Sequence, residues 1–158
     1  MVQQFFNEYQ KINNSFKKKI VYRFGSGSGF FSEYNNMIFM MLYCLRNDIR
    51  FELHSMENNI SKKGWDDYFL PFCKENNQKW HIKYNHSWIN PKAFSFRTLL
   101  ANFYYLFLCY LNKVDYLTSD LFHIARAQKV HEYINIPGIT FQDDFLMFCS
   151  QLVKMTYR

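Results

Sequence analysis

An α/β fold with a parallel sheet is predicted by three features of residues 17–53. Ile20, Val21, Tyr22, Arg23 and Phe24 form a short β-branched and aromatic run, the composition of a strand. Gly25, Gly27 and Gly29 follow, alternating with Ser26 and Ser28, and account for three of the five glycines in the chain. Residues 36–46 are then apolar over a helical length, and 49–53 alternate as a second strand. Strand, glycine turn, helix and strand in that order make a βαβ unit, which starts a parallel sheet with a right-handed crossover. The expected architecture is a Rossmann-like, three-layer domain over residues 17–158, preceded by an extension over 1–16.

Before the first strand, Phe5, Phe6, Tyr9, Ile12 and Phe16 fall near helical spacing. They suggest a short amphipathic helix, read as a frayed extension in preference to a cover for a sheet edge. Lys17, Lys18 and Lys19 read as a solvated strand start. Residues 37–45 are apolar nearly all round, so that helix is expected in the core with the strands against it. Gly64 and Trp65 open a turn in which Trp65 and Phe69, four apart, share a face, and Asp66 is a candidate helix cap. Residues 74–90 read as strand or loop, with Trp80, His81, His86 and Trp88 interleaved with basic residues. A second core helix is expected over 93–112 and a short strand over 114–118. Ser119 and Asp120 then look like a cap for a helix over 121–133, and a last helical pattern covers 141–157.

The chemistry of the glycine loop follows from its position. Glycine accepts positive φ and lets another group approach the backbone. A glycine loop between strand and helix aims backbone N–H groups at the helix N-terminus, which attracts phosphate. Gly25, Gly27 and Gly29, with Asn35 and Asn36 at the expected helix start, are therefore the candidate ligand-binding residues. Either asparagine serves equally as a helix cap. The loop lacks the Gly-Lys-Ser/Thr ending of a P-loop, because Phe30 and Phe31 follow Gly29. It also departs from G-x-G-x-x-G, its third glycine coming one residue early. A tight turn without a ligand is the competing reading.

With 158 residues and 49% hydrophobic residues, the chain can bury a core. Its net charge of +6 favours anionic partners. Cys44, Cys73, Cys109 and Cys149 are widely spaced with no C-x-x-C pair, which argues against zinc and for free thiols in a reducing compartment. No apolar leader is visible, and the most apolar run, 99–111, is shorter than a membrane span. The expected location is the cytoplasm. No metal site, nucleic-acid partner or transmembrane segment is expected.

The glycine loop Gly-Ser-Gly-Ser-Gly-Phe-Phe-Ser-Glu-Tyr-Asn-Asn at 25–36, its apolar helix, the strand to Leu53, and Gly64-Trp65-Asp66-Asp67-Tyr68-Phe69-Leu70-Pro71-Phe72 follow in a set order. That order resembles the N-terminal half of the fucosyltransferase superfamily of α1,6-fucosyltransferases and Nod-factor fucosyltransferases. The resemblance covers about residues 20–73, where Gly64, Trp65, Phe69 and Pro71 match a G-G-W-x-x-x-F-x-P-like segment. It implies one half of a GT-B glycosyltransferase, with GDP-fucose or another nucleotide-sugar as donor and a glycan acceptor, acting in surface polysaccharide or glycan synthesis without a cofactor. The family's H-x-R stretch, which opens the donor-binding half, does not occur in this sequence; His123-Ile-Ala-Arg126 has the wrong spacing. The resemblance therefore implies an N-terminal half that is inactive alone, the product of a truncated gene, of a split gene or of a fragment; in the split-gene case its partner is a separately encoded C-terminal half. No catalytic residue is assigned. Such a half is expected to expose apolar surface, including on the helix of 141–157. The alternative is a non-catalytic α/β domain that binds a glycan, a nucleotide or a partner chain.

Overall fold

The computed structural model describes residues 2–25, 29–56, 61–86, 96–140, 142 and 144–157. Strands β1 (Lys18–Arg23), β2 (Ile49–His54) and β3 (Tyr116–Leu117) form a parallel sheet in the order β2-β1-β3. Lys18 is in register with Ile49 and Arg23 with His54, while Ile20 and Val21 face Tyr116 and Leu117. The described helices are α1 (Val2–Ser15), α2 (Phe30–Arg46), α3 (Trp80–Tyr84), α4 (Phe96–Leu111), α5 (Thr118–Ala127) and α6 (Phe145–Lys154). Short 3-10 turns cover Trp65–Asp67 and Val130–Tyr133.

Strand side chains alternate between faces, so the register defines two unlike surfaces. Ile20 and Tyr22 of β1 and Ile49, Phe51 and Leu53 of β2 join the main core, with Met37 and Met41 of α2, Leu121 of α5, Phe5 of α1 and Phe148 of α6. The opposite face carries Lys19, Val21 and Arg23 beside Arg50, Glu52 and His54. There Val21 and Leu117 form a smaller cluster with Cys109, Val114, Trp80 and Tyr105. Helices on both faces of a parallel sheet give the three-layer α/β architecture expected from the βαβ pattern.

The N-terminal segment is an integral helix, which corrects the reading of a frayed extension. Phe5 and Tyr9 are fully buried in the core. Asn13 lies at the outer edge of β2, where its Nδ2 donates to the Phe51 carbonyl (3.0 Å) and its Oδ1 accepts the Phe51 N–H (2.7 Å). Two residues on, Leu53 donates to the Lys74 carbonyl (3.0 Å) and accepts from the Asn76 N–H (2.7 Å). The edge that would otherwise present free backbone groups is thus closed by a side chain and then by a passing segment.

Helix α2 begins six residues before the apolar stretch that announced it. Phe30 and Tyr34, one turn apart, stack at 5.6 Å, and Phe30 stacks on Phe69 at the same distance, so the first turn is held by packing. Asn35 and Asn36 therefore lie in the second turn and cannot cap; the N-cap is Gly29, whose carbonyl accepts the N–H groups of Ser32 (3.0 Å) and Glu33 (3.2 Å). At the other end Asn47 donates back to Tyr43 (3.1 Å) and Asp48 takes φ 55°, stopping the helix.

Other boundaries move for local reasons. The helix expected over 121–133 starts at Thr118, because the Asp120 carboxylate accepts the Leu117 N–H (2.7 Å). It ends at Ala127, where Gln128 and Lys129 are extended, and a 3-10 turn then buries Tyr133 completely. The last helix starts at Phe145, capped by Asp144, which accepts from Leu146 (2.7 Å) and Met147 (3.2 Å). The strand expected over 114–118 is Tyr116–Leu117, and the segment expected as strand or loop over 74–90 contains α3. Asp66 is no cap: the 3-10 turn is opened by Gly64. Residues 93–95 of the helix expected over 93–112 lie outside the described residues. Apolar surface is exposed along α4 and, on α6, at Leu146 and Met147. Among the described residues no helix is long and apolar enough to cross a membrane.

Candidate functional site

Gly25 and Gly29 stand at the carboxyl end of β1, the central strand. The chain leaves β1 for β2 on one side and later returns to β3 on the other, so this end is where the strand order reverses. Open α/β sheets bind ligands at that point. Gly25 takes φ 92°, a conformation that favours glycine. Gly29 takes an ordinary φ of −62°, and a Cβ there would meet nothing within 4 Å. Glycine at 29 leaves the helix N-terminus open and is not needed by the backbone. Gly27, between them, lies outside the described residues, as do Ser26 and Ser28. Asn35 is exposed and Asn36 half-buried, both one turn further from the loop than expected.

The loop is also addressed from within. Glu33, in the first turn of α2, is buried, and its carboxylate accepts the Gly25 N–H. A carboxylate is favoured there by the helix dipole. The same carboxylate attracts the Arg23 guanidinium, which lies at the end of β1. Nη1 of Arg23 donates to the Ile82 carbonyl (2.6 Å) and to Nδ1 of His86 (2.7 Å). The Nε2–H of His86 then donates to the Lys83 carbonyl (2.9 Å). Burial first, and the Arg23 charge second, hold His86 below the usual histidine range, consistent with a neutral ring accepting from arginine.

A buried polar layer supports this end of the sheet. Asn85 is fully buried; its Nδ2 donates to the Val21 carbonyl (2.6 Å) and its Oδ1 accepts the Thr118 N–H (2.9 Å). It spans the place where β3 turns away from β1. Thr118 Oγ1 in turn accepts the Arg23 N–H (2.7 Å). His81 and His54, both buried, have ring centroids 5.2 Å apart, and His54 Nδ1 donates to the Asn76 carbonyl (2.7 Å). Burial, above all, drives the His81 pKa down to about 3. Glu52 is buried between the ammonium groups of Lys19 (3.8 Å) and Lys74 (3.7 Å). Among the described residues no group of three His, Cys, Asp or Glu is placed to hold a metal.

The two segments singled out in the sequence meet in space. Phe24 packs edge-on against Trp65 (5.5 Å), Phe30 stacks on Phe69, and Trp65 stacks on Phe69 at 4.3 Å, as their four-residue spacing predicts. Gly64 takes φ 97° against β2's end, where Ser55 Oγ accepts the Trp65 N–H (2.6 Å) and donates to Glu75 (2.9 Å). Burial raises Glu75 to about 7. Beside the loop Phe31 is largely exposed, as is Tyr68 on the neighbouring turn. Trp80 stacks on buried His81 (3.8 Å) and belongs to the core cover, while Trp88 lies outside the described residues.

Sequence reasoning did not anticipate Glu33 as the partner of the loop, nor Asn85, Ser55 and Glu75. The alternation of 49–54 held the missing signal: a strand with Arg50, Glu52 and His54 on one side requires a polar cover, and 74–86 supplies it. The four cysteines are free thiols, with Cys44 and Cys109 buried, and burial holds Cys109 and Cys149 up at about 11. No protein-family model, curated protein or solved structure matches this chain.

Proposed function

We propose that this chain is the N-terminal half of a fucosyltransferase-like glycosyltransferase, inactive alone, with its ligand site around Gly25–Gly29. The observation that carries this reading is that Gly25 stands at the carboxyl end of the central strand, where strand order reverses, while Phe24 and Phe30 on either side of residues 25–29 pack against Trp65 and Phe69. Both segments are those on which the family resemblance rests, and they form one cluster. An open helix N-terminus at Gly29 and a guanidinium at Arg23 suit the phosphates of a nucleotide-sugar such as GDP-fucose. Exposed Phe31 and Tyr68 offer apolar faces to a glycan acceptor. Asn35 and Asn36 lie along the same helix, one turn further on.

In this reading the loop orients the donor, and stabilisation of the departing GDP comes from a histidine and an arginine of a separate C-terminal half. The chain's place is the cytoplasm, in surface polysaccharide or glycan synthesis. The test is GDP release from GDP-fucose with a glycan acceptor. We expect no turnover by this chain alone and turnover when a C-terminal half is added in trans. Turnover by the isolated chain overturns the half-enzyme reading.

A second reading rests on Glu33. Its carboxylate already satisfies the Gly25 N–H, as expected of a loop closed for structural reasons. In that case the chain is a non-catalytic α/β domain for a glycan, a nucleotide or a partner chain, and it binds no nucleotide-sugar at the loop.

A further inference from the structure

Helix α4 presents an apolar face to solvent on the side away from the sheet. Leu100, Phe103, Tyr104, Phe107, Tyr110 and Leu111 recur at the three- and four-residue spacing of a single helical stripe, and all are exposed, Phe103 at 72% and Tyr110 at 82%. Residues 100–111 contain no charged side chain. The sheet-facing side is anchored by Cys109 and Tyr105 against Val21 and Leu117. A contiguous exposed apolar face of this kind marks an interaction surface.

The surroundings of the stripe decide its partner. At its C-terminal end, Tyr110 and Leu111 line an open depression with the exposed ammonium groups of Lys17 and Lys113. At its middle, Tyr104 packs on Tyr84 (5.5 Å), over which lies the exposed Lys83 (5.2 Å from the ring centre). Two acidic groups face this side, and both are engaged: the Asp115 carboxylate accepts the Lys19 N–H (2.8 Å), and Asp120, near Tyr105 and Cys109, accepts the Leu117 N–H (2.7 Å). A second copy of the chain would bring this basic rim against itself, and like charges oppose such docking. An anionic surface is attracted by it. At 16 residues α4 is about 24 Å long, short of the roughly 30 Å hydrocarbon core of a bilayer.

We propose that α4 docks this chain on the surface of a bilayer containing anionic lipid, with its aromatic stripe in the interface and Lys17, Lys83 and Lys113 over the headgroups. This inference is independent of the function proposed above. The experiment is co-sedimentation of the full chain with vesicles of phosphatidylcholine alone and of phosphatidylcholine mixed with phosphatidylglycerol. We expect binding to the mixed vesicles that weakens as salt rises. Replacing Lys17, Lys83 and Lys113 together by Gln should reduce it by about fivefold per lysine, about a hundredfold in all. Phe107→Glu with Tyr110→Glu should abolish it; both positions are exposed, and circular dichroism checks that the fold is kept. Absence of binding to the mixed vesicles, or equal binding to both kinds, overturns the proposal. So does a concentration-dependent dimer in sedimentation that Phe107→Glu and Tyr110→Glu dissolve while vesicle binding is nil, which assigns the face to a second copy.

Discussion

Replacing Gly64 by Ala tests whether the Gly64–Trp65 segment is a structural clamp. Gly64 has φ 97° and ψ −154°, a region that is essentially glycine's own and costs other residues about 1–3 kcal/mol. An added Cβ would stand 2.7 Å from Ser55 Oγ and 3.3 Å from the Ser55 carbonyl carbon. Making room requires the Ser55 hydroxyl to give up its bond to the Trp65 N–H (2.6 Å) or to Glu75 (2.9 Å), worth about 1–2 kcal/mol. The total, about 2–5 kcal/mol, is a large share of the roughly 5–15 kcal/mol by which a domain is stable. In urea unfolding the midpoint should fall by about 1.5 M. Ser55→Ala removes the nearest clashing atom, so the double variant should lose less than the sum of the two single losses. A loss below about 0.5 kcal/mol in Gly64→Ala, or strict additivity, would refute the clamp.

Two further outcomes follow from buried polar groups. Asn13→Ala leaves the Phe51 N–H and carbonyl without their partner at the edge of β2, and should cost about 2–3 kcal/mol in chemical unfolding; an unchanged midpoint would mean water replaces the side chain freely. Glu75, raised to about 7 from 4.5, contributes stability that is complete below pH 4.5 and lost as pH rises through 7, whereas His81, lowered to about 3 from 6.5, loses stability as pH falls from 6.5 towards 3. The two oppose one another in mild acid, so Glu75→Gln should make stability fall more steeply than in the wild type between pH 6.5 and 4.5; parallel profiles would contradict the assignment.

The parallel βαβ unit was legible because its signals are local: β-branched runs at 20–24 and 49–53, and a helix of residues apolar on nearly every side. What escaped was set by distant partners. Phe30 and Tyr34 do lie four apart and continue the spacing of Met37 and Met41, but Ser32, Glu33, Asn35 and Asn36 between them break the all-apolar run that announced the helix; the first turn is held because Phe30 and Tyr34 find Phe69 and Trp65. The N-terminal helix is fixed by Asn13 reaching a strand that comes 38 residues later, which no window over 1–16 contains. The loop's position at the sheet's carboxyl end was readable from strand–turn–helix order, but its link to Glu33 needed the early helix start that brings residue 33 back over Gly25. That Phe24 and Phe30, on either side of residues 25–29, pack on Trp65 and Phe69 had no local signal in the sequence.

The central claim is that the glycine loop touches the phosphates of a nucleotide-sugar, weakly in the absence of the donor-binding half. Titrating isotope-labelled chain with GDP-fucose while following backbone amides by NMR tests it most directly. The account predicts saturable shifts at Gly25, Gly29, Asn35 and Asn36. It also predicts their loss in Gly29→Val, a change the fold should tolerate at under about 1 kcal/mol because the Cβ meets nothing within 4 Å. Shifts that are absent at millimolar donor, or that persist unchanged in Gly29→Val, would contradict it.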